Sequence, residues 1–89
     1  MIKQTLSIEN RLGLHARASA KVVNLASRYS SEITLICKGK KAYAKSILQV
    51  MMLGATQGDQ CQCEVEGDDE TSAAAAIQEL FRSKFGEDS

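Results

Sequence analysis

The chain has 89 residues, of which 44% are hydrophobic and 25% charged, so it is long enough for one folded domain and too short for a second core. We therefore treat residues 1–89 as a single domain. The formal net charge is zero, which argues against a nucleic-acid partner. Neither a membrane-spanning apolar run nor the apolar core of a signal peptide is found. We therefore expect a cytoplasmic protein without membrane insertion.

The N-terminal part predicts a strand followed by a helix. Residues 2–8 alternate between apolar and polar, which favours a strand. From Ala16 the period becomes helical and defines an apolar face until Ser30. That face comprises Ala18, Val22, Leu25, Ala26 and Tyr29.

The middle of the chain predicts two strands, residues 32–38 and residues 41–44, joined by a tight turn at residues 38–40. A short helix follows, with Ser46 as its N-cap and Gly54 as its C-terminal stop. Gln49, three residues after Ser46, completes the sequence pattern of a capping box.

The C-terminal part predicts a strand over residues 60–66 and a helix ending at Gly86. The resulting order is β-α-β-β-α-β-α. A four-stranded antiparallel sheet with three helices on one face is the two-layer arrangement that this order favours. We therefore assign the fold to the α+β class.

His15 is the only histidine of the chain, and it stands just after Gly13, where the first helical pattern begins. The positive end of a helix dipole keeps an imidazole neutral and nucleophilic, and it stabilises an anion bound there. A neutral imidazole in this position can accept a phosphoryl group. The alternative is a surface histidine that caps the helix and has no further role.

Arg17, two residues later, is placed to bind the oxygens of such a phosphoryl group. Ser19 and Asn10 are weaker candidates for additional hydrogen bonds. A serine or cysteine triad would need a second histidine as base. The sequence also has neither a Walker-type loop nor a two-histidine metal motif. We therefore expect no cofactor and no metal.

Ser46 has two interpretations, a structural helix cap and a site of regulatory phosphorylation. The residues after it are unusually apolar for a short helix, and they are Ile47, Leu48, Val50, Met51, Met52 and Leu53. They belong either to the core or to a surface that docks partners.

Three cysteines, Cys37, Cys61 and Cys63, do not suggest a disulfide framework, and we expect them to be thiols. Cys61 and Cys63 share one face of a predicted strand. A thiol-dependent metal or redox protein is the hypothesis that this pair leaves open, although two core thiols are the simpler interpretation.

Residues 10–17 (NRLGLHAR) resemble the active-site signature of HPr, the histidine-containing phosphocarrier family of the bacterial phosphoenolpyruvate-dependent phosphotransferase system. Lys45-Ser46-Ile47, followed by Leu53-Gly54, resembles the family's second signature, around a regulatory serine. The resemblance covers nearly the whole chain and implies the family's open-faced β-sandwich.

The resemblance implies a phosphocarrier that is not itself an enzyme. Enzyme I would phosphorylate His15 at Nδ1, Arg17 would stabilise the phosphoryl group, and an enzyme IIA domain would receive it. Docking would use the first helix and the second, at Ala16, Ala20, Ile47, Leu48 and Met51. HPr kinase/phosphorylase would act on Ser46. We expect a monomer, because a carrier exposes one face to successive partners.

Ala18 follows Arg17 where many family members have proline, and this form resembles the nitrogen-related branch and some proteobacterial members. Ser46 instead favours a regulated role linked to carbon uptake. Two alternatives to a sugar-uptake carrier thus stay open. One is a nitrogen-branch regulatory phosphocarrier, and the other is an interaction module that signals through phosphorylated Ser46.

Overall fold

The computed structural model describes residues 1–87. Their elements are β1 (Ile2–Ser7), α1 (Ala16–Ala26), β2 (Glu32–Cys37), β3 (Lys40–Tyr43), α2 (Ile47–Met52), β4 (Gln60–Glu66), α3 (Glu70–Arg82) and a 3₁₀ turn (Lys84–Gly86).

The strands form one antiparallel sheet in the order β1-β4-β2-β3, so the last strand of the chain lies between the first and the second. Its register pairs Cys61 with Leu6 and Cys63 with Leu35. Alternate residues of β4 are buried and exposed, as the sequence pattern predicted. One face of the sheet therefore carries the core, and the predicted α+β fold is confirmed.

The core lies between this face and the helices, and its buried apolar residues form one cluster. Val22 of α1 and Ile77 and Phe81 of α3 are almost completely buried in it. Burial of such a side chain contributes about 1.5–3 kcal/mol, so the apolar stripes of α1 and α3 fix both helices on the sheet. None of the helices within residues 1–87 is long and apolar enough to cross a membrane.

The predicted turn at residues 38–40 is confirmed, because Lys38 and Gly39 both have left-handed backbone angles, with φ of 54° and 77°. Left-handed angles at both central positions match the twist of a two-residue hairpin. The hairpin is tight, so β3 begins at Lys40, one residue earlier than predicted.

The last helix ends at Arg82, and the prediction that it continues to Gly86 is wrong. Lys84, Phe85 and Gly86 all have left-handed backbone angles, with φ of 58°, 57° and 75°. A right-handed helix cannot pass through such residues. The chain reverses there because the Phe85 ring is buried against Phe81, with the ring centroids 4.8 Å apart.

Cys37 and Cys61 form a disulfide bond, so the expectation that all three cysteines are thiols is wrong for this pair. The antiparallel pairing of β2 with β4 brings their Cα atoms to 4.5 Å, within the range that a disulfide requires. Cys63 is a free, buried thiol, and burial raises its pKa to about 11. Cys61 thus pairs across the sheet and not with its neighbour on the strand.

Candidate phosphoryl-transfer site

The loop before α1 places His15 at the N-terminus of that helix. Gly13 has a left-handed φ of 67°, and the next residue, Leu14, donates its backbone N–H to Ala55 O at 3.0 Å. His15 is the N-cap, with an extended backbone, and its carbonyl accepts the N–H of Ser19 at 2.8 Å. The first helical N–H groups have no intrahelical acceptor and are available to an anion beside His15.

The His15 ring is one-quarter exposed, and its Nε2 lies 2.6 Å from Oε2 of Glu87. A hydrogen bond from Asn10 is the main cause that lowers the pKa of the Glu87 carboxyl, with the contact to His15 adding to it. Glu87 is therefore ionised at neutral pH and can only accept hydrogen bonds. Such a carboxylate can accept a hydrogen bond from Nε2 only when Nε2 carries a proton, and in a neutral ring the lone pair is then on Nδ1.

Arg17 is exposed in the first turn of α1 and makes no hydrogen bond or ion pair within residues 1–87. Its side chain lines a shallow depression together with His15 and Glu87, and Arg11 and Leu12 complete the lining. The positive charge of Arg17 also helps to lower the pKa of Glu87. An exposed guanidinium in this position can bind the oxygens of an incoming phosphoryl group.

Ser19 and Asn10 do not face this depression, so their predicted contacts with a phosphoryl group are not supported. Ser19 is buried, and its hydroxyl donates to Leu14 O at 3.2 Å. Asn10 is also buried, and its Nδ2 donates to Gly13 O at 2.9 Å and to Glu87 Oε1 at 3.0 Å. Both side chains therefore hold the loop around His15.

Glu87, Arg11 and Leu12 are the members of the site that sequence reasoning missed. Arg11 and Leu12 stand inside the signature that identified His15, so their place in the sequence was a usable signal. Glu87 is 72 residues from His15 along the chain. No local pattern predicts such a contact, because it depends on the chain reversal after α3.

Ser46 is the N-cap of α2, as predicted, and its Oγ accepts the Gln49 N–H at 3.4 Å. The second half of the capping box is not formed. Gln49 Oε1 accepts instead from the Tyr43 N–H at 2.9 Å, which ties α2 to the end of β3. The Ser46 side chain therefore has a structural role and is only partly buried.

A contiguous set of exposed apolar side chains covers the outer side of α2. We call it the apolar patch, and it comprises Ile47, Leu48, Met51 and Met52. Leu48 and Met52 are about two-thirds exposed, at 66% and 65%, whereas Val50 on the inner side is completely buried. Large exposed apolar groups that are adjacent to one another are typical of a docking surface. Of the two predicted docking residues on α1, Ala16 is exposed and Ala20 is partly buried.

Known proteins that are similar to this chain bear on this site. A family model described as "PTS HPr component phosphorylation site" matches residues 2–83. The phosphocarrier protein HPr of Xylella fastidiosa strain Temecula1 is 46% identical over 88 residues, with 99% of each chain covered. The phosphocarrier protein NPr of Escherichia coli K12 is 39% identical over 88 residues, with 98% of each chain covered.

Solved structures give the same result. The crystal structure of HPr-C-His from Thermoanaerobacter tengcongensis superposes with a TM-score of 0.95, at 45% identity and over the full length of both chains. HPr of that organism is also solved as a dimer, which matches with a TM-score of 0.78 at 46% identity over 98% of this chain and 100% of that one.

The fold, the helix N-terminus at His15 and these similarities together define a phosphocarrier of the phosphotransferase system. The chain belongs to the PTS HPr family. Members of this family carry phosphoryl groups and do not catalyse a reaction of their own.

Proposed function

We propose that this protein accepts a phosphoryl group on Nδ1 of His15 from phosphorylated enzyme I and delivers it to an enzyme IIA domain. The observation that carries the proposal is the contact of 2.6 Å between Nε2 and the Glu87 carboxylate. A proton on Nε2 would satisfy this contact and would leave Nδ1 free to attack phosphorus. The family membership supports the same donor and acceptor classes.

In the proposed transfer, the Nδ1 lone pair forms a bond to phosphorus while the bond between phosphorus and the donor breaks. Negative charge on the phosphoryl oxygens is stabilised by the first-turn N–H groups of α1 and by the Arg17 guanidinium. The reverse sequence of bonds then delivers the group to the acceptor. Positioning and charge stabilisation are sufficient here, because the phosphoramidate is itself an activated species.

The proposed partners dock on the apolar patch and on the N-terminal part of α1. The predicted contact residues are Ala16, Ala20, Ile47, Leu48 and Met51. We add Met52 to this proposed set, because its side chain is more exposed than that of Met51. Flexible methionine side chains adapt to different surfaces, which suits a carrier that meets several partners in turn. We propose that the protein is a cytoplasmic monomer in these encounters.

A second proposed role is regulation through Ser46, by an HPr kinase/phosphorylase. Ser46 precedes Ile47 at the edge of the apolar patch, so a phosphate there would place two negative charges beside a docking surface. Partly exposed and at a helix N-terminus, the hydroxyl is in a position where the fold tolerates a phosphate.

The branch of the phosphotransferase system is a separate part of the proposal. We favour a carrier linked to sugar uptake, because Ser46 fits the regulated site and the Xylella HPr similarity exceeds the similarity to NPr, at 46% against 39% identity. A nitrogen-branch regulatory phosphocarrier is the alternative, which the Ala18 following Arg17 supports.

The test is the intact mass of the protein after incubation with enzyme I, magnesium and phosphoenolpyruvate. We expect a gain of one phosphoryl group, about 80 Da, in the wild type and in Arg28→Ala, an exposed arginine outside the site. Arg17→Ala should gain the group at least about tenfold more slowly, because it lacks a positioned cation. His15→Ala should gain nothing.

Two outcomes would contradict the proposal. A gain of mass in His15→Ala would place the phosphoryl group on another residue. No gain in the wild type, with both a sugar-branch and a nitrogen-branch enzyme I shown to be active on their own carriers, would exclude the carrier role. A gain with only one of these enzymes would identify the branch.

A further inference from the structure

We propose that Glu87 and Asn10 are positioning residues, which together hold the His15 ring as the Nε2–H tautomer with Nδ1 directed to the phosphoryl donor. This inference deepens the proposed function and rests on it only for the effect on transfer. The tautomer of the resting protein is a property that can be tested on its own.

The hydrogen bonds around Glu87 use both of its carboxylate oxygens. Oε2 contacts His15 Nε2 at 2.6 Å, and Oε1 accepts from Asn10 Nδ2 at 3.0 Å. The side chain is only 13% exposed, so water competes weakly for either oxygen. A carboxylate held at both oxygens has one orientation, and it imposes that orientation on the imidazole.

Asn10 is oriented by two acceptors at the same time. Its Nδ2 donates to Gly13 O and to Glu87 Oε1, and the reversed amide would direct its oxygen at both of these oxygens. This orientation leaves the buried Oδ1 of Asn10 without a hydrogen-bond partner among residues 1–87. An unsatisfied buried acceptor is costly to stability.

The segment that carries Glu87 is also anchored specifically. Phe85 is buried under α3, and Lys21 of α1 donates its Nζ to Phe85 O at 2.5 Å. The Glu87 N–H then donates to Lys84 O at 3.0 Å. Residues with left-handed backbone angles make this reversal, and such angles are unfavourable for residues other than glycine. The fold thus brings Glu87 back to the N-terminus of α1.

The proposed arrangement has a direct effect on transfer. When Nδ1 forms its bond to phosphorus, the ring gains positive charge and keeps its proton on Nε2. The carboxylate at 2.6 Å stabilises that charge from the side of the ring opposite the phosphoryl group. The Glu87 carboxylate also repels the incoming phosphoryl group. Arg17, which lines the depression with His15 and Glu87, partly offsets this repulsion.

Glu87→Gln keeps the shape of the side chain and changes only its hydrogen bonding. Its amide has one acceptor where the carboxylate has two. If the oxygen faces Asn10, the amide NH₂ faces Nε2, and the ring accepts this contact only as the Nδ1–H tautomer. If the oxygen faces His15, two donors oppose each other at Asn10. The first arrangement keeps both hydrogen bonds only if the tautomer is reversed, and the second loses the hydrogen bond to Asn10, in each case at nearly constant side-chain volume.

The experiment measures the ¹⁵N chemical shifts of the His15 ring nitrogens at about pH 8, where an ordinary imidazole is neutral. It compares the wild type with Glu87→Gln, Glu87→Ala and Asn10→Ala. Glu79→Gln is the matched control, because Glu79 is an exposed carboxylate paired with Arg82 on α3. We expect the Nε2–H tautomer to dominate in the wild type and in the control, and both tautomers to be present in the Glu87 variants.

The second measurement is the rate of phosphorylation by enzyme I, which we expect to fall about three- to tenfold in Glu87→Ala and to stay constant in Glu79→Gln. Unchanged Phe81 and Phe85 ring resonances would show that the variants fold. Wild-type tautomer populations in folded Glu87→Ala would overturn the inference. Loss of the tautomer preference in a protein that enzyme I does not phosphorylate would leave this inference standing and reject the proposed function.

Discussion

Gly13 lies directly against the backbone carbonyl of Ala55, in the loop between α2 and β4. A Cβ atom at position 13 would be 2.4 Å from Ala55 O, too close for any carbon–oxygen contact, and φ there is left-handed. The next residue, Leu14, donates its N–H to that carbonyl. The position of His15 therefore depends on a close approach of two backbones that only glycine permits.

Gly13→Ala should destabilise the protein by about 2–4 kcal/mol, since left-handed strain and a backbone clash add together. Denaturant unfolding measures the change. Gly39→Ala is the control, because Gly39 is also left-handed but a Cβ there has no neighbour within 4 Å. It should cost only about 1 kcal/mol. Equal losses in the two variants would show that the contact with Ala55 is unimportant.

Because Cys37 and Cys61 form a disulfide bond, the protein should be more stable when oxidised than when reduced. The residues are 24 apart in sequence, and closing a loop of that size stabilises a protein by about 3–4 kcal/mol in the chain-entropy description. A reductant should therefore lower the midpoint of thermal unfolding by more than about 10 °C. Intact mass should rise by the two hydrogens that reduction adds.

Cys63→Ser provides the control for this measurement. It keeps the bonded pair, so its unfolding midpoint should still fall when the reductant is added. Cys37→Ser should lose the dependence on reductant, because Cys61 then has no partner on β2. A reductant-dependent midpoint that persists in Cys37→Ser would show that another pairing is responsible.

Substitutions of Ser46 should separate its structural role from its proposed regulatory one. Ser46→Ala removes the cap of α2 and should cost about 0.5–1 kcal/mol, while phosphorylation of His15 continues at the wild-type rate. Ser46→Asp keeps an acceptor at the N-cap and should stay close to the wild type in stability. It should nevertheless slow phosphorylation, because its charge lies beside the apolar patch.

Denaturant unfolding and the enzyme I assay measure the two effects of these Ser46 variants independently. Thr71→Asp places a charge on an exposed residue of α3, away from the apolar patch, and serves as the charge control. Equal phosphorylation rates for Ser46→Asp and the wild type would contradict the proposed coupling.

The hydrogen bonds of Asp69 predict that its contribution to the stability of the protein depends on pH. Its carboxylate accepts the Ser31 hydroxyl and the N–H groups of Ser30 and Ser31, joining the start of α3 to the start of β2. The Ser31 hydroxyl is the first cause, and the Ser30 N–H the second, that hold the pKa of Asp69 below its usual value. The carboxylate therefore contributes stability above the ordinary carboxyl range, near pH 4, and loses it as the pH falls through the lower folded pKa.

The measurement is denaturant unfolding of the wild type and Asp69→Asn at a series of pH values. We expect the wild type to be more stable at pH 7 and the difference to shrink as the pH falls below about 4. Asp68→Asn, at the exposed neighbouring position, should show no such trend. A difference that stays constant down to about pH 2 would show that protonation of Asp69 is not involved.

Much of the fold follows from the sequence, because each element has its own local signal. Alternation predicted β4 with its observed ends, Gly39 predicted the hairpin turn, and Ser46 predicted the start of α2. The candidate site was predicted only in part. His15 and Arg17 occupy the positions expected of them, whereas Asn10 and Ser19 are buried and hydrogen-bonded within the loop.

The sequence by itself determined the family, the order of the elements and the placement of one histidine at a helix N-terminus, since all of these depend on neighbours along the chain. Only the tertiary structure decided that Cys61 bonds to Cys37 and that Glu87 contacts His15. The first contact requires the register of β2 against β4, and the second requires the chain to reverse at Phe85. Both join residues far apart in sequence, and no local periodicity specifies which distant residues will meet.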